Sequence, residues 1–281
     1  MLSNLNFRAT VLSLVMLVVF LGVWQLATAP EAIAPQQGEL SEYERLTGGA
    51  QPSSGSGIPA PTQVFSHAFS ELSNPFYDAG PNDKGIGIQL AYSIYRVLLG
   101  FALAALIAIP LGFVIGMSPL LNKAFDPYIQ ILKPISPLAW MPLALFVIRD
   151  SNMSAIFVIF ICSIWPMLVN TAYGVASVRN DWLNVAKTHE LSSLRTAFTV
   201  ILPAAAPTIL TGMRISIGIA WLVIVAAEML VGGTGIGYYI WNEWNNLDLA
   251  SVIFAIIMIG IVGFLLDASL AQATKFVRYA D

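Results

Sequence analysis

Side chains able to act as acid, base, nucleophile or metal ligand are few: 281 residues include 13 basic, 16 acidic, two histidines and one cysteine. A single cysteine (Cys162) and only two histidines (His67, His189) exclude a disulfide framework and most zinc or haem sites; no catalytic or metal-binding residue is expected. HExxH, GxSxG and GxxxxGK[ST] are absent, so the chain encodes no zincin, no serine hydrolase elbow and no phosphate loop. Gly232-Gly-Thr-Gly-Ile-Gly237 has glycines enough for a dinucleotide loop. It follows an apolar helix-length run rather than a strand, and reads as a helix C-cap and tight turn. The chemistry left is charge in apolar surroundings. Arg96, Arg214, Glu228 and Asp267 interrupt long apolar stretches, where an ionisable group is costly and needs a partner or a function. Lys133-Pro134, Pro137 and Pro142 interrupt another. Trp140 and Met141 beside that break are candidates for lining a pathway; a purely structural kink is the alternative.

The elements that must position these groups are membrane spans. With 57% hydrophobic and 10% charged residues, the chain lacks the charge to cover a soluble domain of this size. A net charge of −3 argues against nucleic-acid binding. Six stretches approach the roughly 20 apolar residues a spanning helix needs: Ala9 to Ala29, Leu90 to Met117, Tyr128 to Ile148, Ala155 to Ala176, Pro207 to Val231 and Ala250 to Ala273. The expectation is an all-α membrane protein of six transmembrane helices. Arg8, an apolar run and Ala27-Thr-Ala29 imitate a signal peptide, but the run exceeds a usual signal core of about 7–15 residues, so a retained anchor is expected.

Basic residues set the orientation. With the amino terminus inside, Arg8, Lys123, Lys133, Arg179, Lys187, Arg195, Lys275 and Arg278 fall in cytoplasmic segments; Arg45, Lys84 and Arg149 fall outside. Both termini are therefore expected in the cytoplasm of a multi-pass protein of the cell inner membrane. Residues 1–88 then form an anchor and an outer polar loop. Leu46 to Gln63, rich in Gly, Pro and Ser, reads as flexible. After Pro61, Val64, Phe65, Ala68, Phe69 and Leu72 recur at helical spacing, giving a helix that lies on the outer membrane face or packs on the bundle. The seven acids of this segment (Glu31, Glu39, Glu42, Glu44, Glu71, Asp78, Asp83) form a solvated loop or receive an external partner.

Residues 179–203 are too polar to span a membrane, yet they are patterned. Trp182, Leu183, Val185 and Ala186 make one apolar helical face with Lys187 and Glu190 off it. Ser192 and Ser193 break the pattern, and a second helical stretch reaches Pro203. Two short helices and a bend make a projecting knob; an ordinary interfacial loop is the plain alternative.

This segment resembles the EAA loop of permease subunits of ATP-binding-cassette importers, with Asn184-Val185-Ala186 at its start, Glu190 at the glycine position and Ile201-Leu202-Pro203 at its end. Leu202-Pro-Ala-Ala-Ala-Pro207 followed by Gly212-Met-Arg214 looks like the LPxAxPxxxxGxR continuation. Ser93-Ile-Tyr-Arg96 with Gly100, and Pro137-Leu-Ala-Trp-Met-Pro142, look like the nitrate/sulfonate/taurine branch. The run from Trp221 to Gly237 looks like the cyanobacterial nitrate and bicarbonate importers. The resemblance covers about residues 86–275 and implies a type I importer permease, its core at 89–275 carrying five transmembrane helices and a cytoplasmic coupling loop at 179–203. It implies transport of a small inorganic oxyanion, nitrate or nitrite first and bicarbonate second. It further implies a second permease copy, two cytoplasmic ATPase subunits and a periplasmic substrate-binding lipoprotein. The chain itself would be no enzyme and bind no cofactor, ATP and Mg belonging to the partners. Trp182, Val185, Ala186, Lys187, Glu190 and Leu191 would contact the ATPase. A channel or scaffold without ATPase partners is the alternative of another class.

Helix rise places Arg214 and Asp267 at matching depth, about 10 Å inside one membrane face, so they are expected to pair. Arg96 and Glu228 approach each other from the other face. Either Arg96 faces the pathway and attracts the anion, or Glu228 neutralises Arg96 or caps amides of the Gly232–Gly237 turn. The structural reading is preferred, because a carboxylate on an anion path repels its cargo.

Overall fold

The computed structural model describes residues 2–28, 58–80 and 83–277. The flexible reading of residues 46–57, the acids Glu31, Glu39, Glu42 and Glu44, and the small-residue signal at Ala29 lie outside the described residues. The described elements are α1 (Leu2–Ala27), α2 (Pro61–Ser73), α3 (Ile86–Met117), α4 (Pro119–Leu132), α5 (Pro137–Ile148), α6 (Ser151–Ala176), α7 (Asn180–Thr188), α8 (Ser193–Val231), α9 (Ile236–Asn245) and α10 (Leu249–Val277). Five of these are long and apolar enough to cross a membrane, and α4 with α5 makes a sixth when counted as one broken span. The all-α membrane fold expected above is the one observed.

That broken span corrects the expected continuous helix from Tyr128 to Ile148. The axes of α4 and α5 differ by 90°. Pro134 and Pro137 each lack an N–H; Lys133 before Pro134 stays helical (φ −58°, ψ −42°), so the effect of a proline on its preceding residue shows at Pro137. Ser136 accordingly takes φ −60°, ψ 134°, an extended conformation, and caps α5 instead of continuing α4. Lys133 thus stands at the bend between α4 and α5.

The chain divides into two compact units, residues 1–74 with 243–254 and residues 75–242 with 255–281. In the first, α2 is held to the start of α10 by a polar cluster. Asp248 caps the helix, accepting from Ala250 N–H (3.0 Å), Ser251 N–H (3.2 Å) and the Ser251 hydroxyl (2.5 Å). The Ser251 hydroxyl also meets His67 Nε2 at 2.9 Å. Burial raises the Asp248 pKa, but the Ser251 hydrogen bonds and the nearby His67 outweigh it and hold the carboxyl below its ordinary range. Phe65, Phe69 and Leu72 of α2 remain exposed while Val64 is buried.

In the second unit α6 packs between α3 and α8. Helix α3 carries a small residue at every fourth position: Gly100, Ala104, Ala108, Gly112 and Gly116. A β-carbon at Gly100 would lie 2.7 Å from the Ile159 side chain, and one at Gly112 would lie 2.8 Å from the Leu168 carbonyl oxygen. The stripe lets backbones approach, which is how helices associate where lipid tails remove the hydrophobic drive. Gly212 plays the same part for α8 against Asn170 and Pro166. Trp221 of α8 fixes α10 by donating its indole N–H to the Ile259 carbonyl (2.9 Å).

Candidate functional site

Two constellations in the second unit gather most of the sequence candidates. At one end of the bundle, Arg96 of α3 and Glu228 of α8 form a buried ion pair (2.6 Å), their side chains 10% and 2% exposed. Arg96 Nη1 also donates to the Thr234 carbonyl (2.7 Å), and its Nε to Asn152 Oδ1 (2.7 Å). Glu228 accepts from the Ser93 hydroxyl (2.8 Å) and from Gly237 N–H (3.0 Å). Ser93 Oγ accepts from Ile236 N–H (2.9 Å), and Gln89 Oε1 accepts from Gly235 N–H (2.6 Å). Both arms of the structural reading thus occur together: Glu228 meets Arg96 and caps the turn. The turn needs its glycines. Gly232 and Gly233 have φ 76° and 92°, the left-handed region costly to side-chain-bearing residues. A β-carbon on Gly235 would overlap the Glu228 carboxylate, and one on Gly237 the Val225 carbonyl oxygen. Arg96 Nε and Nη1 are both engaged by protein acceptors, and Glu228 fills its acceptor sites with protein donors, which is the pattern of a structural pair.

At the other end, α7 is the first of the two expected short helices, whereas the second stretch is the start of the 39-residue α8 rather than a separate short helix. Leu183 packs against Val175, Ile201, Ala205 and Ile209, and anchors α7 to the bundle. The single apolar face read from spacing is split. Ala186 is 3% exposed and turned into the chain, whereas Trp182 (47%) and Val185 (58%) face outward. Lys187 and Glu190 are exposed, and Leu191 is half-buried. Beyond the bend, Leu202 N–H donates to the Ala197 carbonyl, five residues back, so residues Ala197–Ile201 form a π turn. Pro203 and Pro207, which lack N–H groups, disturb the normal helical pattern there.

Among protein families, the binding-protein-dependent transport system inner membrane components match residues 108–279. The chain is 48% identical to the nitrate import permease protein NrtB of Synechocystis sp., over 81% of this chain and 82% of that one. The chain belongs to this permease family. The bicarbonate transport system permease protein CmpB of Synechocystis sp. is 42% identical over 78% of this chain and 80% of its own. A chain of the MetNI methionine ABC transporter, solved in an inward-facing conformation, shares the fold with TM-score 0.60 at 12% identity, covering 67% of this chain and 94% of that one.

The permease solves its departure from the EAA pattern locally. Glu190, where the pattern has glycine, sits at φ 52°. Leu191 N–H donates to the Ala186 carbonyl (3.2 Å) and Glu190 N–H to the Lys187 carbonyl (3.0 Å). This is a Schellman cap with glutamate in the left-handed place. Glu190→Gly is therefore expected to stabilise the permease by about 1 kcal/mol, and Glu190→Val to destabilise it by a similar amount. Melting temperatures of the detergent-solubilised complex check this; equal melting of all three chains contradicts it.

The remaining sequence candidates separate. Arg214 and Asp267 meet in a two-pronged contact (3.0 and 2.6 Å), with side chains 39% and 48% exposed in the single chain. Trp140 is half-buried and lines a cavity at the α4–α5 bend. Met141 is 1% exposed and belongs to the core, because it faces into the bundle one helical step from Trp140; it lines no such cavity. Periodicity alone missed Gln89, Ser93, Asn152 and Thr234, whose roles depend on how three helices and a turn converge. The Ser93/Arg96/Gly100 spacing was the signal available for them.

Proposed function

We propose that this permease forms the membrane pathway of an ATP-driven importer of a small inorganic oxyanion, nitrate or nitrite. The carrying observation is the 48% identity to a nitrate import permease across most of both chains. Bicarbonate is the second reading, favoured by the 42% identity to CmpB; the two ions are both small planar monoanions. Two copies build the pathway, two cytoplasmic ATPase subunits hydrolyse ATP, and a periplasmic lipoprotein delivers the anion. Residues 1–88 serve as anchor and periplasmic segment, 89–275 as permease core and 179–203 as coupling loop, with both termini cytoplasmic. Trp182 and Val185 contact the ATPase, with Lys187, Glu190 and Leu191 around them; Ala186 supports the helix from within. Arg96–Glu228 and Arg214–Asp267 are structural pairs; the first is buried, and each offsets a charge that would otherwise stand alone within an apolar helix.

The test is ATP hydrolysis by the reconstituted complex with its binding protein, measured against nitrate, nitrite and bicarbonate. Stimulation by nitrate or nitrite well above bicarbonate supports the first reading, and the reverse order the second. Stimulation only by a cation or a sugar overturns both.

A further inference from the structure

The bend between α4 and α5 opens a cavity of about 230 Å³ lined by Lys133, Ser136, Trp140, Cys162, Trp165 and Ile219, among others. Three helices place it at the same depth. Helix α5 runs 12 residues from the bend to its other end. Ile219 lies 12 residues before the end of α8 at Val231, and Trp165 lies 14 residues after the start of α6 at Ser151. At 1.5 Å per residue these are about 18–21 Å, past the middle of a hydrocarbon core about 30 Å thick.

An ionisable side chain at such depth requires a counter-charge or a function. Arg96, Arg214 and Glu228 each have a partner. Among the described residues Lys133 has none, and no carboxylate lines the cavity. Its other polar groups offer hydrogens. Trp140 and Trp165 carry indole N–H groups, donors only, and Ser136 a hydroxyl; none of the three side chains has a hydrogen-bond partner among the described residues. Such a lining suits a small oxyanion: an ammonium supplies charge, and donors without an opposing acceptor match oxygens that only accept. The volume far exceeds the space one water requires, so the anion can enter partly hydrated.

We infer that this cavity is a transit site for the transported oxyanion, with Lys133 as its counter-ion and Trp140, Trp165 and Ser136 as hydrogen-bond donors. The inference rests on the importer reading above and adds where the anion pauses within the membrane. Lys133, not Arg96 paired with Glu228, is then the cation of the pathway.

The experiment is nitrate and bicarbonate uptake by proteoliposomes holding the full complex, at saturating anion-loaded binding protein, with assembled complex quantified for each variant. Lys133→Arg is expected to keep uptake within about threefold of the parent, Lys133→Gln to lower it about tenfold, and Lys133→Glu to abolish it. Trp165→Phe keeps the apolar ring without the N–H and is expected to lower uptake several-fold; together with Ser136→Ala it carries the test if the Lys133 variants do not assemble. Lys123→Gln, on exposed α4 away from the cavity, serves as the unaffected control. Uptake that follows charge in the order Arg, Gln, Glu supports the site. Equal loss in Lys133→Arg and Lys133→Gln, parental uptake by Lys133→Gln, or parental uptake by both Trp165→Phe and Ser136→Ala overturns it. A parental complex that moves neither anion overturns the importer reading and this site with it, which separates the two failures.

Discussion

Arg96→Met is expected to destabilise the permease by about 3–5 kcal/mol, the range seen when one partner of a buried ion pair is removed. Methionine fills most of the arginine's volume, so the loss is electrostatic rather than a cavity effect. It strands the Glu228 carboxylate, 2% exposed, with only the Ser93 hydroxyl and Gly237 N–H to hold its charge. It also removes the donor from the Thr234 carbonyl and from Asn152, loosening the turn on which α9 depends. Glu228→Gln is the informative counterpart. Its amide oxygen can still accept from Ser93 and Gly237, and the stranded guanidinium keeps two neutral acceptors, so a smaller loss is expected. The double variant removes both charges and should be more stable than Arg96→Met alone, giving a coupling energy of about 1–3 kcal/mol between the two positions. Thermal unfolding and yield of the detergent-solubilised protein read all three. If Arg96→Met melts with the parent, the pair does not hold the bundle end together. Loss of uptake with full yield would instead return Arg96 to the pathway.

How much of this was legible beforehand depends on what each feature requires. Span identity follows from composition alone, and depth counting along ideal helices placed Arg214 beside Asp267 and Arg96 near Glu228, because helical rise is nearly constant. Counting says nothing about rotation around a helix or convergence of separate segments. It could not therefore supply Asn152 or the Thr234 carbonyl as second acceptors for Arg96. The same limit acted at Lys133. Proline positions announced an interruption, but the 90° angle, and the side chains it gathers around Lys133, cannot be counted from helical rise. On α7, periodicity grouped Trp182, Val185 and Ala186 within one arc. Only the packing of Leu183 on Val175 and Ile201 decides where within that arc inward turns outward. Glu190 shows the converse: a motif position identifies the left-handed residue even when glycine is absent.

That split gives the coupling loop its sharpest expected outcome. Trp182→Ala should weaken association with the ATPase subunits by about 2–4 kcal/mol, on the order of 30- to 1000-fold, as expected for an exposed tryptophan anchoring an interface. The indole is 47% exposed in the single chain, on a helix fixed from behind by Leu183, so its removal leaves the permease fold intact. Val185→Asp, placing a charge beside the same anchor, should be at least as damaging, because the carboxylate would have to be buried on docking. Lys187→Gln, off that face, should cost under about 1 kcal/mol, as rim charges do. Ala186→Asp separates the two sides of the helix. Its site is 3% exposed within the chain, so it should lower the melting temperature of the isolated permease, which Trp182→Ala should not. Copurification of ATPase subunits at graded concentrations, with melting of the permease alone, distinguishes these outcomes. A permease carrying both Trp182→Ala and Val185→Asp that still retains its full complement of ATPase subunits would show that α7 does not carry the coupling contact.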